Sequence, residues 1–181
     1  MPKRKKTLGN FEHPQIQSLA RLAETQSKRT LCYWSIAYAE AQLLPVFEHV
    51  FPDDPRPREA LANARGWLEG RVKFAAAKDT NNGAHNAATE AEGNPSAQAA
   101  ARAIAHASLT IHVSAHCMGI AFYGAAALAY TQLGLVATQE EYLVVAQQAW
   151  LEMEDALHKI AVESEPNPAK LDWEFWNSRV H

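Results

Sequence analysis

Of the eight histidines in the 181 residues, three fall in one run, His106, His112 and His116, within ARAIAHASLTIHVSAHCMG. If that run is helical, His112 and His116 are four residues apart and share a face, the geometry two imidazoles need to hold one metal ion. His85 can approach from the preceding alanine-rich segment, so His112, His116 and His85 form the candidate metal set, with a glutamate from another helix as fourth ligand. No glutamate stands between the paired histidines, and HVSAH is therefore not the HExxH of zinc hydrolases. Acid–base catalysis by an imidazole is a second chemistry open to the same residues. The third reading is structural, with the rings packed among alanines, their nitrogens satisfied and no cofactor bound; the alanine-rich surroundings favour it.

Glu40 is the other conspicuous group, because it stands among apolar residues in IAYAEAQLL. A carboxylate buried without a donor is very costly, so Arg58 or Arg65 of the next helix is expected to pair with it. If the pair is fully buried, replacing Glu40 by alanine costs about 3–5 kcal/mol. A structural ion network is the simpler account and a catalytic carboxylate the alternative. Cys32 and Cys117 lie in apolar helical segments without CxxC spacing, and are expected as free buried thiols in a reducing, cytoplasmic setting. No glycine-rich phosphate loop, nucleophile elbow or zinc-finger spacing is present. Seventeen basic against twenty acidic residues give a net charge of −3, which predicts no general affinity for nucleic acid.

These groups must be positioned by helices. The segment from Ser96 to Leu133 keeps a helical period on more than one face and contains no proline, so it is expected as one long, buried, central helix, with a bend at Gly119 or Gly124. Within it, Ile111 to Leu128 is poor enough in charge to raise the question of a membrane span. His112, Ser114, His116 and Cys117, with many alanines, argue instead for a protein core, and no membrane partner is expected. Pro14 starts a first helix. A second is expected from Lys28 to Val50, bent at Pro45, which leaves the Ala41 carbonyl without its usual donor. PDDPRP at 52–57 stops the chain, and Asp53 or Asp54 can cap the next helix, on which Arg65 and Glu69 have pairing distance. The DTNNG stretch at 79–83 predicts a break or a polar face, GNPS at 93–96 a boundary, and Thr138 with Glu141 a capping box for a last helix over about 139–162. No stretch alternates with period two.

The expected fold is all-α: a single-domain bundle of six or seven helices around the long alanine-rich one. Residues 1–12 (MPKRKKTLGN onward) read as a flexible basic arm without a secretory apolar segment, residues 13–165 as the helical domain, and residues 166–181 as a tail. Its Leu171, Trp173, Phe175 and Trp176 are too apolar to leave in water and are expected to pack on the body or on a partner.

The stretch WSIAYAEAQLLPVFEHVFPDDPRPREALANARGWLEG, followed by the alanine-rich hairpin and HVSAHCMGIAFYGAAAL, resembles the bacterial immunity proteins with an all-helical immunity-like domain. The matching positions are Trp34, Ala39, Glu40, Leu44, Pro45, Phe47 and Glu48, then Asp54, Arg56, Pro57, Arg58, Ala60, Ala64, Arg65, Trp67 and Gly70. His85, His112, His116, Gly119 and Tyr123 complete them, and Tyr38 stands where the family pattern has cysteine. The resemblance implies neutralisation of a toxin by stoichiometric protein binding, with a cognate toxin as partner, a homodimer allowed, and no assigned catalytic residues. The alternative is a small metal-dependent or acid–base enzyme built on a His/Glu cluster.

Overall fold

Proline and capping chemistry set most helix boundaries. The computed structural model describes residues 5–180, and it begins its regular structure with α1 (Pro14–Glu24), entered through Pro14 at the first helical position, where a missing N–H costs nothing. Next is α2 (Lys28–Tyr38), capped by the Ser27 hydroxyl on the Thr30 amide. The helix then widens into a π turn, Ala39–Leu43, before α3 (Leu44–Val50). Here Pro45 is accommodated without a break, because the Leu44 amide donates five residues back to the Ala39 carbonyl.

Helix α4 (Arg56–Leu68) follows Pro55 and carries Pro57 in its first turn, with Asp54 Oδ1 accepting the Arg56 amide at 3.1 Å. Helix α5 (Phe74–Glu90) runs straight through the DTNNG stretch. Its polar residues form a face and no break: Asn81 is buried and its amide donates to the Ala105 carbonyl at 2.5 Å and to Ser108 Oγ at 2.8 Å. The Asn94 side chain then caps α6 (Pro95–Leu109). Helix α7 (Ala125–Leu133) ends at Gly134, and α8 (Gln139–His158) starts with the Thr138/Glu141 capping box. A short α9 (Glu174–Asn177) lies near the C-terminus. The described residues form one all-helical domain, without strands, and none of its helices is long and apolar enough to cross a membrane.

Helix α6 is the hub. It touches α2, α3, α4, α5 and α7, while α8 closes the bundle against α1 and α7. The expected continuous helix from Ser96 to Leu133 is divided, however. After Leu109 the chain turns, becomes extended at Val113, makes a 3-10 turn over Ser114–Met118 and a second π turn over Ile120–Gly124, and only then resumes as α7. Three β-branched residues, Thr110, Ile111 and Val113, crowd the turn preceding each of them and weaken the helix there. The carbonyls released by the break find other donors: Lys28 Nζ reaches the His112 oxygen at 3.1 Å and Trp176 Nε1 the Ala115 oxygen at 2.7 Å. Residues 115–127 are buried throughout, so the segment remains core although it is not one helix.

Two glycines permit the close approach of these pieces. A methyl group on Gly124 would lie 3.1 Å from Leu43 Cδ1, so the two π turns touch. On Gly119 it would lie 2.3 Å from His106 Cβ, inside any allowed contact. Gly119→Ala is therefore expected to destabilise the fold by about 2–3 kcal/mol through overpacking. A urea midpoint equal to that of the wild type would contradict the tight seat of His106.

Of the segment read as a basic arm, residues 1–4 lie outside the described ones. Leu8 is buried, with its amide donating to the Phe122 carbonyl at 3.2 Å.

Candidate functional site

The first candidate surface is the edge where α3 and α4, both packed on α6, are joined across their exposed sides by ion pairs, with the Ala39–Leu43 turn touching α4. Glu40 pairs with Arg65 through both carboxylate oxygens, and Glu48 with Arg58 at 2.8 and 2.6 Å. Arg56 bridges Asp54 at 2.7 Å and Glu90 of α5 at 2.6 Å. These are bidentate forks, the strongest guanidinium–carboxylate geometry. Arg56 is held above its usual range by the hydrogen bonds it donates to Asp54 and then to Glu90, and Arg56 in turn pulls both carboxyls below theirs. Between the pairs lies a groove of about 260 Å³ whose floor is Leu44, Pro45 and Leu61 and whose rims carry Glu40, Glu48 and Arg58. Arg65 turns to Glu40 across the helix packing, while Glu69 pairs with Arg71, so the expected surface pair Arg65–Glu69 does not form.

The side chains of Glu40 and Arg65 are 33% and 29% exposed. That is a half-wet pair, and the figure for a fully buried one does not apply. Glu40→Ala is expected to cost only about 1 kcal/mol. A loss above about 3 kcal/mol in a denaturant titration would show that the pair is desolvated after all.

The second candidate is a histidine cluster. The break after Leu109 separates His112 from His116: His112 is exposed, its ring 5.6 Å from that of Phe74, while His116 turns inward on the 3-10 turn. There its Nδ1 lies 2.8 Å from Nδ1 of His106. One ring must donate and the other accept, so one proton lies between the facing nitrogens and the accepting ring is neutral. His85, on α5, stands edge-on to His106 at 5.8 Å. Tyr123 stacks on His106 at 5.3 Å, Trp176 covers it at 4.9 Å, and Phe175 covers His116 at 4.6 Å. Burial lowers the pKa of all three: His116 falls to about 4, and His106 well below the usual value, with neighbouring cationic groups adding to the effect. Among the described residues no three His, Cys, Asp or Glu side chains are grouped to hold a metal ion.

A family profile described as "Imm-5 like putative immunity protein" matches residues 21–156. The chain belongs to that family. Comparison with curated proteins and with solved structures returned no match. The matched span of the Imm-5 like domain contains every side chain of the α3–α4 edge and all three clustered histidines. Trp176 and Phe175, which seal the histidine pair, lie beyond it. His106 and Trp176 are the site residues that spacing alone does not single out. The signals were present, in the β-branched run that ends α6 and in the aromatic density of the tail, but neither says which rings meet.

Proposed function

We propose that this protein neutralises a toxin by forming a stoichiometric complex with it, and that the charged α3–α4 edge is the surface that meets the toxin. The family match over residues 21–156 carries the reading. Support for the surface comes from its construction. Glu40, Glu48, Asp54, Arg56, Arg58 and Arg65 are held by one another in fixed orientations, so little side-chain freedom is lost on binding. Each paired carboxylate keeps lone pairs facing away from its arginine, and the apolar floor between them offers area to a partner side chain. A net charge of −3 gives little long-range steering, which leaves recognition to this local pattern. The protein acts in the cytoplasm, and two buried free thiols, with Cys32 pushed up to about 12 by desolvation, suit a reducing compartment. On this reading His112 and His116 serve packing.

Co-expression with the product of a neighbouring toxin gene tests the proposal. The expected result is a complex of fixed stoichiometry and survival of the host. Arg58→Glu, at an exposed position, breaks the pair with Glu48 and is expected to abolish protection while costing only about 1 kcal/mol of stability, whereas changing His112 and His116 to glutamine reduces protection only as far as it lowers stability. Protection by far less than one equivalent, or one equivalent of bound zinc whose removal ends protection, would overturn the binding reading in favour of an enzyme.

A further inference from the structure

Helices α3 and α4 both pack on α6, and two ion pairs span the gap between their exposed sides like struts, Glu48 with Arg58 and Glu40 with Arg65. The two arginines are seven residues apart on α4, so the struts are separated by about 10.5 Å along its axis. Between them Leu44 and Leu61 are buried, while Pro45 and Ala62 stand exposed. The space they leave is about 260 Å³. An α-helix with its side chains measures about 10–12 Å across, too wide to pass between the struts. A single side chain passes, and an apolar cavity of about 150 Å³ already holds benzene.

The rim selects among side chains. Both oxygens of Glu40 and of Glu48 accept from an arginine, yet each oxygen has a further lone pair, and the two side chains are 33% and 27% exposed. Arg58 is 62% exposed, and a planar guanidinium stacks on aromatic faces. We infer that this gap is a socket for one aromatic side chain of the toxin, tryptophan or tyrosine. Its ring rests on Leu44, Pro45, Leu61 and Ala62, its N–H or O–H donates to Glu40 or Glu48, and Arg58 lies over its face. An aliphatic side chain would cover the same floor and leave both the carboxylates and the guanidinium unused. An aromatic anchor ringed by fixed polar groups that exclude water is the usual build of a binding hot spot. The inference rests on the reading that this edge meets the toxin.

Titration of the full chain with N-acetyltryptophanamide, followed through the backbone amide resonances, tests the socket without the toxin. Saturable shifts centred on Leu44, Leu61 and Ala62 are expected, with a Kd of about 10 mM or tighter, and N-acetylleucinamide should bind several-fold more weakly. Ala62→Leu, at an exposed position of α4, fills the gap from within and should weaken binding about tenfold; both residues are strong helix formers, so the helix is kept. Arg58→Gln should weaken the tryptophan analogue about two- to fivefold and leave the leucine analogue unmoved. Equal binding of the two analogues, or binding unmoved by Ala62→Leu, overturns the socket. With the toxin of the neighbouring gene, Ala62→Leu should lower affinity about tenfold or more. Affinity lost with Arg58→Glu but not with Ala62→Leu would keep the charged edge as the interface and overturn the socket alone, whereas a toxin indifferent to both variants overturns the reading of the edge as well.

Discussion

Replacing Trp176 by alanine is expected to remove about 3–5 kcal/mol of folding stability, the usual cost of truncating a fully buried tryptophan. The indole is 0% exposed. It donates to the Ala115 carbonyl at 2.7 Å, an oxygen freed by the break after α6, and its ring meets Phe122 at 5.1 Å and His106 at 4.9 Å. Truncation therefore leaves a cavity, an unpaired carbonyl and an uncovered imidazole pair at once. Trp176→Phe keeps most of the area and loses the hydrogen bond, so it should cost only about 1 kcal/mol. A second readout separates this account from simple loss of packing. Water reaching the cluster should move the His116 titration upward from about 4, visible in the proton resonances of the ring. A truncated protein within about 1 kcal/mol of the wild type would show that the tail contributes little to the core.

Acid should weaken the fold well before its carboxylates are protonated. A histidine with a depressed folded pKa contributes stability that is complete above the unfolded value and is lost as pH falls toward the folded one. For His116 the window runs from about 6.5 in the unfolded chain down to about 4. The unfolded state gains protons throughout that range and the folded state does not, which amounts to about 3 kcal/mol for this residue alone. His106 acts in the same direction, because a second proton between the facing nitrogens would leave two N–H groups opposed. Asp54, Glu90 and Glu141 are also held low, but they lose their contribution only below the ordinary carboxylate range, so the two windows are separable. Urea midpoints should fall from pH 7 to pH 5, and His116→Gln should flatten that part of the profile. A wild-type midpoint that does not change over the interval would rule out a neutral, buried pair.

Local chemistry was legible in the residues. The Thr138/Glu141 box, the entry at Pro14, the boundary at 93–96, where Asn94 caps α6, and the stop at 52–57 each depend on groups a few positions apart, and each forms. The Glu40–Arg65 pair was legible as one of two partners, because a carboxylate among apolar residues needs a donor and the short connection brings only α4 within reach. The expected i, i+4 histidine face failed to form for a reason of competing scales. Hydrophobic periodicity extends across 110–113, but a few β-branched residues suffice to end a helix when tertiary donors such as Lys28 and Trp176 are ready to take up the freed carbonyls. The His106–His116 contact exists only because of that break, and the position of Trp176 depends on a chain return that no local signal encodes.

The π turn at Ala39–Leu43 also acts as a phase shifter. In an uninterrupted α-helix, residues eight apart differ by about 80° around the axis, which would aim Glu40 and Glu48 at different neighbours. One extra residue in a wide turn absorbs about 100° of rotation, and so brings the two carboxylates to within about 20° of one another, on the single groove they both line. Deleting one residue of that turn, such as Gln42, would restore ordinary winding and swing Glu40 away from Arg65 while leaving Glu48 on Arg58. The spacing of the charged edge is thus a property of backbone winding number, set by an insertion that lies next to a proline and is invisible to any comparison of side chains alone.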